Sequence, residues 1–557
     1  MSLCTSLKAT VLLIALQLLV GCVSLQHWLA VSPLPVSQQT EQQQAVLSSM
    51  TSKVGQLDVN WPETSSKRAL VNNHASFWAY KGQGQLLLDL GTAQSVSLNI
   101  NGHVLSLSPS ASLGKQLAFD IGSVTRNGLN QLALVDIQPL GASVRVVLPY
   151  PMLQDGSAEQ AGFSLTELAQ LDSLINREVA QGFPGAVLLI VKDGKVIKET
   201  AYGYANRYNS DGSPLANPEP MHSNTLFDLA SNTKMYATNY AIMHLVQLGL
   251  LDVNLPIQHY INEYQGDGRE QRLVRDLLYH NAGYPPEVHF HRPDNRHGAM
   301  FYSLNRERSM QLIASKVPFE RERGTKSIYS DIDYMLLGLV IERITGKRQD
   351  DYLEHSLYQP MGLNNTLFNP LRKGVPITQI AATELDGNSR GGRVSFPADK
   401  GGIVRGNVHD EKARYAFDGV AGHAGLFSTA RETARLAMLA LHGGYNLTPV
   451  FSQAILQQFV RPSVSDHTMG LGWRTAVGGD LNWHFGPYAS AYAFGHTGWT
   501  GTATLIDPYY GLVVVLLTNK KHSAVIAEGE NSYYFAGDRF ETGMYGSIMS
   551  KIYQAMH

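Results

Sequence analysis

One stretch decides the fold of this chain: Phe227-Asp228-Leu229-Ala230-Ser231-Asn232-Thr233-Lys234-Met235. Apolar residues continue after it at helical spacing as far as Leu245, and Gly249 stands where a helix would end. The pattern therefore predicts that Ser231 lies at the start of a helix. Lys234 would follow one turn later on the same face, within reach of the serine hydroxyl.

This serine and lysine pair has a chemical meaning. A serine hydroxyl is a weak nucleophile at neutral pH and needs a partner that takes its proton. A nearby lysine is able to do so if burial or neighbouring charge lowers its pKa, and the positive end of a helix favours negative charge at the same place. A second S-x-x-K copy, Ser112 to Lys115, lies among short predicted strands with no helix after it, and we interpret it as chance. We predict that Ser231 is a nucleophile and Lys234 its base.

Two further motifs follow in order along the chain. Tyr329-Ser330-Asp331 precedes a helical run, and His496-Thr497-Gly498 precedes an apolar strand. With the serine block, they resemble the three motifs of the superfamily of β-lactamases and penicillin-binding proteins. The resemblance runs from about Ser164 to Asn519, and four more segments are similar to the family: Leu277–Gly283, Gly422–Thr429, Gly470–Trp473 and Val513–Asn519.

The resemblance implies a role for the second motif. Where the family usually has Tyr-x-Asn, Tyr329 would act as co-base for the serine and later protonate the leaving group. Asp331 would take part in substrate binding, but an ionised carboxylate cannot donate the hydrogen bond of the usual amide. Two rival Y-x-N strings do not fit this role. The one at 204–206 precedes the serine, and the one at 260–262 follows it too closely to lie on the opposite wall of the site. The alternative is a simple helix start, in which the acidic residue favours the helix dipole.

The third motif departs from the usual Lys-Thr-Gly and resembles the variant of some DD-carboxypeptidases and related esterases. The resemblance implies that Thr497 binds a substrate carboxylate and that His496 adds positive charge when protonated. Gly498 would let a substrate backbone lie along the strand edge. The oxyanion hole would be formed by the backbone N–H groups of Ser231 and Trp499. The alternative is a turn before a strand.

Residues 160–557 are predicted to form the hydrolase domain, of α/β class. Ser164 and Glu167 form a capping box before a helix-spaced leucine stripe, and Asp193-Gly194 turns one apolar strand into the next. A long helical middle follows, and another buried strand stands near the chain end. This order predicts a β-lactamase or transpeptidase-like domain with an antiparallel sheet and a helical subdomain.

Residues 61–152 are predicted to form a small all-β sandwich before the hydrolase domain. Apolar and polar residues alternate from Ser95 to Ile100, and Asn101-Gly102 then favours a tight hairpin. The pattern is loosely similar to the jelly-roll modules of many sugar-cleaving enzymes. A set of aromatic residues forms either a platform for glycan or, as we favour, part of the sandwich core: Trp61, Phe77, Trp78 and Tyr80.

The N-terminus resembles an export signal. Residues 1–22 contain an apolar core too short to span a bilayer, ending in Leu19-Val20-Gly21-Cys22, which is similar to a lipoprotein lipobox. That similarity implies an acylated Cys22, a polar tether over 23–60, and a periplasmic protein anchored to a membrane. Val23 is not acidic, which favours the outer membrane. A plain cleaved signal and an uncleaved anchor are the alternatives.

Composition limits the partners. The chain has 44 Lys and Arg against 46 Asp and Glu, so no basic surplus exists to bind nucleic acid. His289-Phe290-His291 and His409-Asp410-Glu411 match no familiar ligand spacing, and we predict no metal and no cofactor.

The predicted function is a penicillin-binding serine hydrolase that forms an acyl-enzyme. Its expected substrate is a peptidoglycan peptide ending in D-Ala-D-Ala, because the location is the cell wall and the third motif suits a terminal carboxylate. The alternatives are an esterase acting on small acyl esters, a β-lactamase of the same fold, and a non-catalytic wall-binding lipoprotein.

Overall fold

The computed structural model describes residues 56–60, 73–107, 117–387, 402–527 and 533–556. Three predicted features lie outside this part of the chain: the leader with Cys22, the second S-x-x-K copy and Trp61. Within the described ranges, no helix combines the length and the apolar character needed to cross a bilayer.

The N-terminal region is a sandwich of two four-stranded antiparallel sheets. One sheet contains, in spatial order, Gln56–Asn60, Ser143–Val147, Gln85–Asp89 and Leu117–Asp120, and the other contains His74–Ala79, Gly128–Gln138, Ser95–Ile100 and His103–Leu107. The predicted alternation is confirmed, because every second side chain of Ser95–Ile100 is buried in the core. The sandwich begins before its predicted boundary at residue 61, because Leu57 and Val59 of the strand Gln56–Asn60 are part of this core.

The hydrolase domain is built on an antiparallel sheet, as predicted. Seven strands follow one another across it: Pro214–Pro220, Lys195–Tyr208, Gly185–Lys192, Leu512–Thr518, Thr502–Asp507, Phe494–Gly498 and Arg474–Thr475. An eighth, Gln154–Asp155, pairs in parallel with the second of them.

The two faces of this sheet are covered by different parts of the chain. In strand Gly185–Lys192, Val187 belongs to the large core shared with the helical subdomain, whereas Leu188 packs against the other core. That second core contains side chains of the helices Leu165–Ala180 and Tyr545–Gln554. The strand is therefore apolar throughout because both of its faces are buried.

Most of the remaining elements form the helical subdomain and its edges, but the last two α-helices contribute to the second core. The α-helices after the first are Tyr240–Gln247, Val274–Leu278, Arg306–Ser315, Asp331–Thr345, Gln349–Leu353, Ala430–His442, Gln453–Val460, Asn482–Phe485 and Tyr545–Gln554. Short strands form a three-stranded sheet of Phe227–Asp228, Leu426–Ser428 and Leu367–Phe368. Three two-stranded pairs are Ala382–Glu384 with Val404–Arg405, Gly444–Tyr445 with Thr448–Pro449, and Val525–Ala527 with Tyr533–Phe535.

The aromatic residues of the sandwich do not form an open platform. Phe77 is buried in the sandwich core, which confirms the core interpretation for it. Tyr80 is buried at the seam with the hydrolase domain, where its hydroxyl lies 2.7 Å from Nε2 of His442. Trp78 is half-buried and packs on the same histidine, with ring centroids 4.9 Å apart. Alternation along the strand separates Phe77 from Trp78, so a single flat platform of these side chains is excluded.

Candidate active site

The segment around Ser231 is helical, as predicted, but it does not begin as a regular α-helix. A 3₁₀ turn, Ala230–Asn232, leads into a π-helical turn, Lys234–Asn239, and only then into the α-helix Tyr240–Gln247. Gly249 follows with φ of 68°, the left-handed conformation that ends helices. Short π-helical turns occur frequently at functional sites.

The residue before the candidate nucleophile is strained. Ala230 has φ of 46°, which is unfavourable for any residue with a Cβ. Its backbone N–H donates a 2.8 Å hydrogen bond to the Asp228 carboxylate, and the Thr500 hydroxyl donates to the Asp228 carbonyl at 2.7 Å. These contacts hold the turn in a conformation that the local sequence alone would not favour, a pattern typical of functional sites.

Lys234 is fully buried and makes three polar contacts. Its Nζ lies 3.1 Å from Oγ of Ser231, 2.9 Å from Oδ1 of Asp331 and 3.2 Å from the carbonyl oxygen of His423. Burial lowers the pKa of Lys234, but its interactions with Asp331 and Tyr329 outweigh this effect and raise the pKa overall. In the free protein Lys234 is therefore an ammonium that donates to Ser231, and it would act as a base only after losing a proton.

Tyr329 lies against the same ammonium. The Nζ of Lys234 is 4.7 Å from the centre of the Tyr329 ring, and the guanidinium of Arg474 is 5.4 Å from it. The ring of His496 lies at 6.0 Å and is tilted by 35°. The structure thus brings the tyrosine of the second motif next to the lysine of the first and the histidine of the third.

Asp331, for which a part in substrate binding was predicted, lies between two buried lysines, and its role toward a substrate stays a prediction. One carboxylate oxygen contacts Lys234, and the other lies 3.3 Å from Nζ of Lys412. Burial would raise the pKa of Asp331, but these two ammonium groups hold it well below its usual range. An ionised carboxylate with an oxygen on each lysine positions Lys234 and has no proton to donate to a substrate. The cap of the helix that begins here is the Ser330 hydroxyl, which accepts from the Ile332 N–H at 3.2 Å.

The third motif lies on strand Phe494–Gly498, directly against the nucleophile turn. A Cβ on Gly498 would lie far inside van der Waals contact of the Leu229 carbonyl oxygen, and 3.2 Å from Cβ of Ala230. Glycine is therefore required here because two backbones approach closely, which is a different reason from the one predicted. Thr497 is half-buried and Trp499 is half exposed, so both are accessible beside the turn.

His496 is buried and uncharged in this environment. Burial lowers the pKa of His496 well below 6.5, and the positive charges of Arg474 and Lys234 lower it further. The positive charge that was expected of His496 when protonated is therefore disfavoured in the free protein, and its role toward a substrate stays a prediction. Its Nδ1 lies 2.7 Å from the Thr497 carbonyl oxygen and donates to it, so Nε2 carries the lone pair. In the part of the chain that the structure describes, Nε2 has no hydrogen-bond partner.

Sequence reasoning missed Arg474. It directly follows the segment Gly470–Trp473 that resembles the family, and it pairs with Gly495 on the strand of the third motif. Burial lowers the pKa of Arg474, but a guanidinium stays charged at neutral pH. Arg474 therefore provides the fixed positive charge that was expected from His496. The only sequence signal was its adjacency to a family segment.

Lys412 was missed as well. It is fully buried, and its Nζ lies within 3.1 to 3.5 Å of four carboxylates. These belong to Asp410, Glu287, Asp331 and Glu411. Because Asp331 also contacts Lys234, this ion cluster extends directly to the candidate nucleophile.

Among the residues that the structure describes, two groups of side chains have atoms close enough to hold a cation. His289, His291 and Glu411 offer ligand atoms within 4.8 Å of one another, and so do Asp331, Asp410 and His423. In the second group, the carboxylates already contact the ammonium of Lys412, and that of Asp331 also contacts Lys234. The first group joins two histidine-containing segments that the sequence analysis considered separately. The prediction of no metal remains to be tested.

Comparisons with known proteins show which family the chain is similar to. The sequence model of a family described as Beta-lactamase matches residues 171–538. An N-acetylmuramyl-L-alanine amidase of Bacillus subtilis strain 168 is 47% identical over 408 residues, which cover 72% of this chain and 91% of the relative. A protein of Escherichia coli O157:H7 that carries the provisional name D-alanyl-D-alanine carboxypeptidase is 41% identical over 415 residues. These residues cover 73% of this chain and 94% of that protein. The crystal structure of a penicillin-binding protein homologue from Caulobacter crescentus has the same fold, with a TM-score of 0.50 and 20% sequence identity. The match covers 71% of this chain and 99% of the homologue.

Proposed function

Since the chain belongs to the β-lactamase family, we propose that it is a serine hydrolase that forms an acyl-enzyme on Ser231 while cleaving peptidoglycan peptides. The observation that carries this proposal is the position of Lys234. Its buried ammonium contacts Ser231 and Asp331 and lies against the ring of Tyr329, so the three candidate groups surround one fixed charge. A hydroxyl without a catalytic role would not require this arrangement.

The first step is removal of the Ser231 proton. Lys234 carries its full complement of protons in the free protein, so it must first give one to solvent; the resulting amine, with Tyr329 as co-base, is then proposed to accept the Ser231 proton. Lys234 shares the task by holding the serine oxygen 3.1 Å from its Nζ.

Acyl transfer follows from this arrangement. The Ser231 oxygen bonds to the substrate carbonyl carbon, and the resulting oxyanion accepts hydrogen bonds from the backbone N–H groups of Ser231 and Trp499. The C–N bond then breaks, and Tyr329 returns the proton to the leaving amine. Water adds to the ester, regenerates the serine and releases the acid.

The proposed substrate is a peptide that ends in D-Ala-D-Ala. The name of the E. coli relative refers to that bond, and the guanidinium of Arg474 beside the third motif suits a terminal carboxylate. A second candidate is the amide between N-acetylmuramic acid and L-alanine, which the 47% identity to the B. subtilis amidase favours. Incubation with a muramyl pentapeptide separates the two, because the first releases D-alanine and the second releases a free L-alanyl amine.

Covalent labelling with a fluorescent penicillin tests the proposal. We expect labelling of the wild-type protein and its loss in Ser231→Ala, since removal of such a nucleophile costs about 10⁴–10⁶ in rate. Ser173→Ala is a matched control: its exposed hydroxyl, on the first helix, donates to the Ala169 carbonyl. Equal labelling of wild type and Ser231→Ala would refute the assignment.

We also propose that Cys22 carries the lipid anchor and that the protein is periplasmic, held at the outer membrane. The similarity of 19–22 to a lipobox supports this. Cys22→Ser should move the protein from the membrane fraction to the soluble fraction. Continued membrane association of that variant would favour an uncleaved anchor.

A further inference from the structure

A cavity of about 770 Å³ opens at the seam between the sandwich and the hydrolase domain. Side chains of both parts line it, among them Trp78 and Asn127 from the sandwich and Asp193, Tyr509, Tyr510 and Gln554 from the hydrolase domain. Clefts between domains are common ligand sites.

This seam cleft is separate from the active site. Thr502, at one end of its strand, donates to the Leu229 carbonyl at 3.0 Å beside the nucleophile turn. The strand ends at Asp507, and Pro508 to Gly511 then line the cleft. A six-residue strand spans about 20 Å. The cleft therefore lies at the opposite end of the central sheet from Ser231.

Several tyrosine rings at this cleft are open to solvent. Tyr509 is 69% exposed, Tyr488 is 50% exposed and the neighbouring Tyr492 is 70% exposed. The rings of Tyr492 and Tyr509 are nearly parallel, at 15°, with centroids 6.5 Å apart. Packing in the core does not account for these rings, and an exposed aromatic cluster of this kind typically marks a binding surface.

The polar groups of the cleft indicate the chemistry of its ligand. Lys192 and Asp193 pair with each other, so the lining offers both donors and acceptors without a strong surplus of one charge. Asn127 and Gln554 add neutral amides. Flat aromatic faces beside neutral hydrogen-bonding groups match a sugar ring, which has C–H faces and a rim of hydroxyl groups. A polyanion would require a basic lining, and a lipid would require a more apolar one.

We propose that the seam cleft binds a glycan strand and holds the protein on its polymeric substrate while Ser231 acts at the other end of the sheet. The carbohydrate chemistry rests on the cleft alone, whereas its identification as cell-wall glycan rests on the proposed function. This gives the sandwich a role, since it supplies one wall of the cleft through Trp78.

Co-sedimentation with purified sacculi tests this proposal. We compare the wild type with the double variant Tyr488→Ala/Tyr509→Ala, and with the control Trp483→Ala, whose side chain is 58% exposed outside the cleft lining. We expect the apparent affinity of the double variant to fall at least about fivefold, equivalent to about 1 kcal/mol of lost ring contacts. Trp483→Ala should sediment as the wild type does. Unchanged sedimentation of the double variant would overturn the proposal.

Two further readouts separate this proposal from the catalytic one. Penicillin labelling of the double variant should stay within about twofold of wild type, because the cleft lies about 20 Å from the nucleophile. Sacculi stripped of their peptides should still bind the wild type in a Tyr509-dependent manner, and binding that required the peptides would refute a glycan site. Failure of wild-type labelling, with Tyr509-dependent sedimentation retained, would refute the catalytic proposal and leave the glycan site supported.

Discussion

Replacement of Asp331 by asparagine tests how the ion cluster supports the nucleophile. The substitution keeps the shape of the side chain and restores the amide usual in the family, but it removes a negative charge between two buried ammonium groups. At the 2.9 Å separation of Asp331 and Lys234, the attraction is about 6 kcal/mol for an effective dielectric constant of 20. Lys234 retains its contacts with Ser231 and the His423 carbonyl, so the net loss is smaller. We expect the free energy of unfolding to fall by about 3–5 kcal/mol, the usual cost of breaking a buried pair.

Activity should change in a way that a merely structural defect would not produce. Without Asp331, the lowering of the Lys234 pKa by burial is offset less, so that pKa should fall. Lys234 would then be able to accept the serine proton at a lower pH. We expect penicillin labelling of Asp331→Asn to persist, with its rate profile displaced toward lower pH. The assay is labelling rate against pH, together with chemical denaturation at pH 7.

The pH dependence of stability has a definite sign. The pKa of Asp331 is lower in the folded protein than in the unfolded chain, so its stabilisation is fully present above the unfolded value near 4. That stabilisation is lost as pH falls through the folded-state pKa. The difference in the free energy of unfolding between wild type and Asp331→Asn should therefore be constant from pH 7 to about 5. It should become smaller on further acidification.

Asp333→Asn is the matched control on the same helix. Burial raises the pKa of Asp333 well above its usual range and so favours its neutral form, which means that the substitution removes less charge than Asp331→Asn does. Its contact is with Nδ1 of His280, at 2.8 Å. The ion-pair reasoning would be refuted if Asp331→Asn matched wild type in both stability and the pH profile of labelling. It would also be refuted if Asp333→Asn showed the same displaced pH profile as Asp331→Asn.

Three other outcomes are expected. Because His496 is uncharged, the ratio of peptide to neutral-ester turnover should not change between pH 6 and 8, and a decline centred near 6.5 would show that His496 titrates there after all. Gly498→Ala should lower the labelling rate by about 10²-fold or more, because its Cβ would displace the nucleophile turn; near wild-type labelling would contradict the close packing of that strand. Dialysis against a chelator should leave labelling unchanged, and a loss that zinc restored would instead indicate a cation at His289, His291 and Glu411.

Much of the fold followed from local sequence patterns. The alternation over Ser95–Ile100, the capping residue Ser164 and the helical spacing after Ser231 each depend on residues that are close in the chain. Such patterns record backbone periodicity and turn chemistry directly, so their elements were predicted correctly. The three motifs likewise follow one another in the order typical of the family, and that order can be read from the sequence alone.

The electrostatic state of the site was decided by the tertiary structure. Lys412 meets Glu287 and Asp331 across 125 and 81 positions of the chain, and no spacing rule connects them. Whether Lys234 or His496 carries a proton depends on burial and on neighbouring charges, which the sequence alone does not reveal. The seam cleft likewise exists only where the sandwich meets the hydrolase domain. Periodicity determines which elements form, but the free energy of a charge depends on everything packed around it, and that environment is created only when distant segments come together.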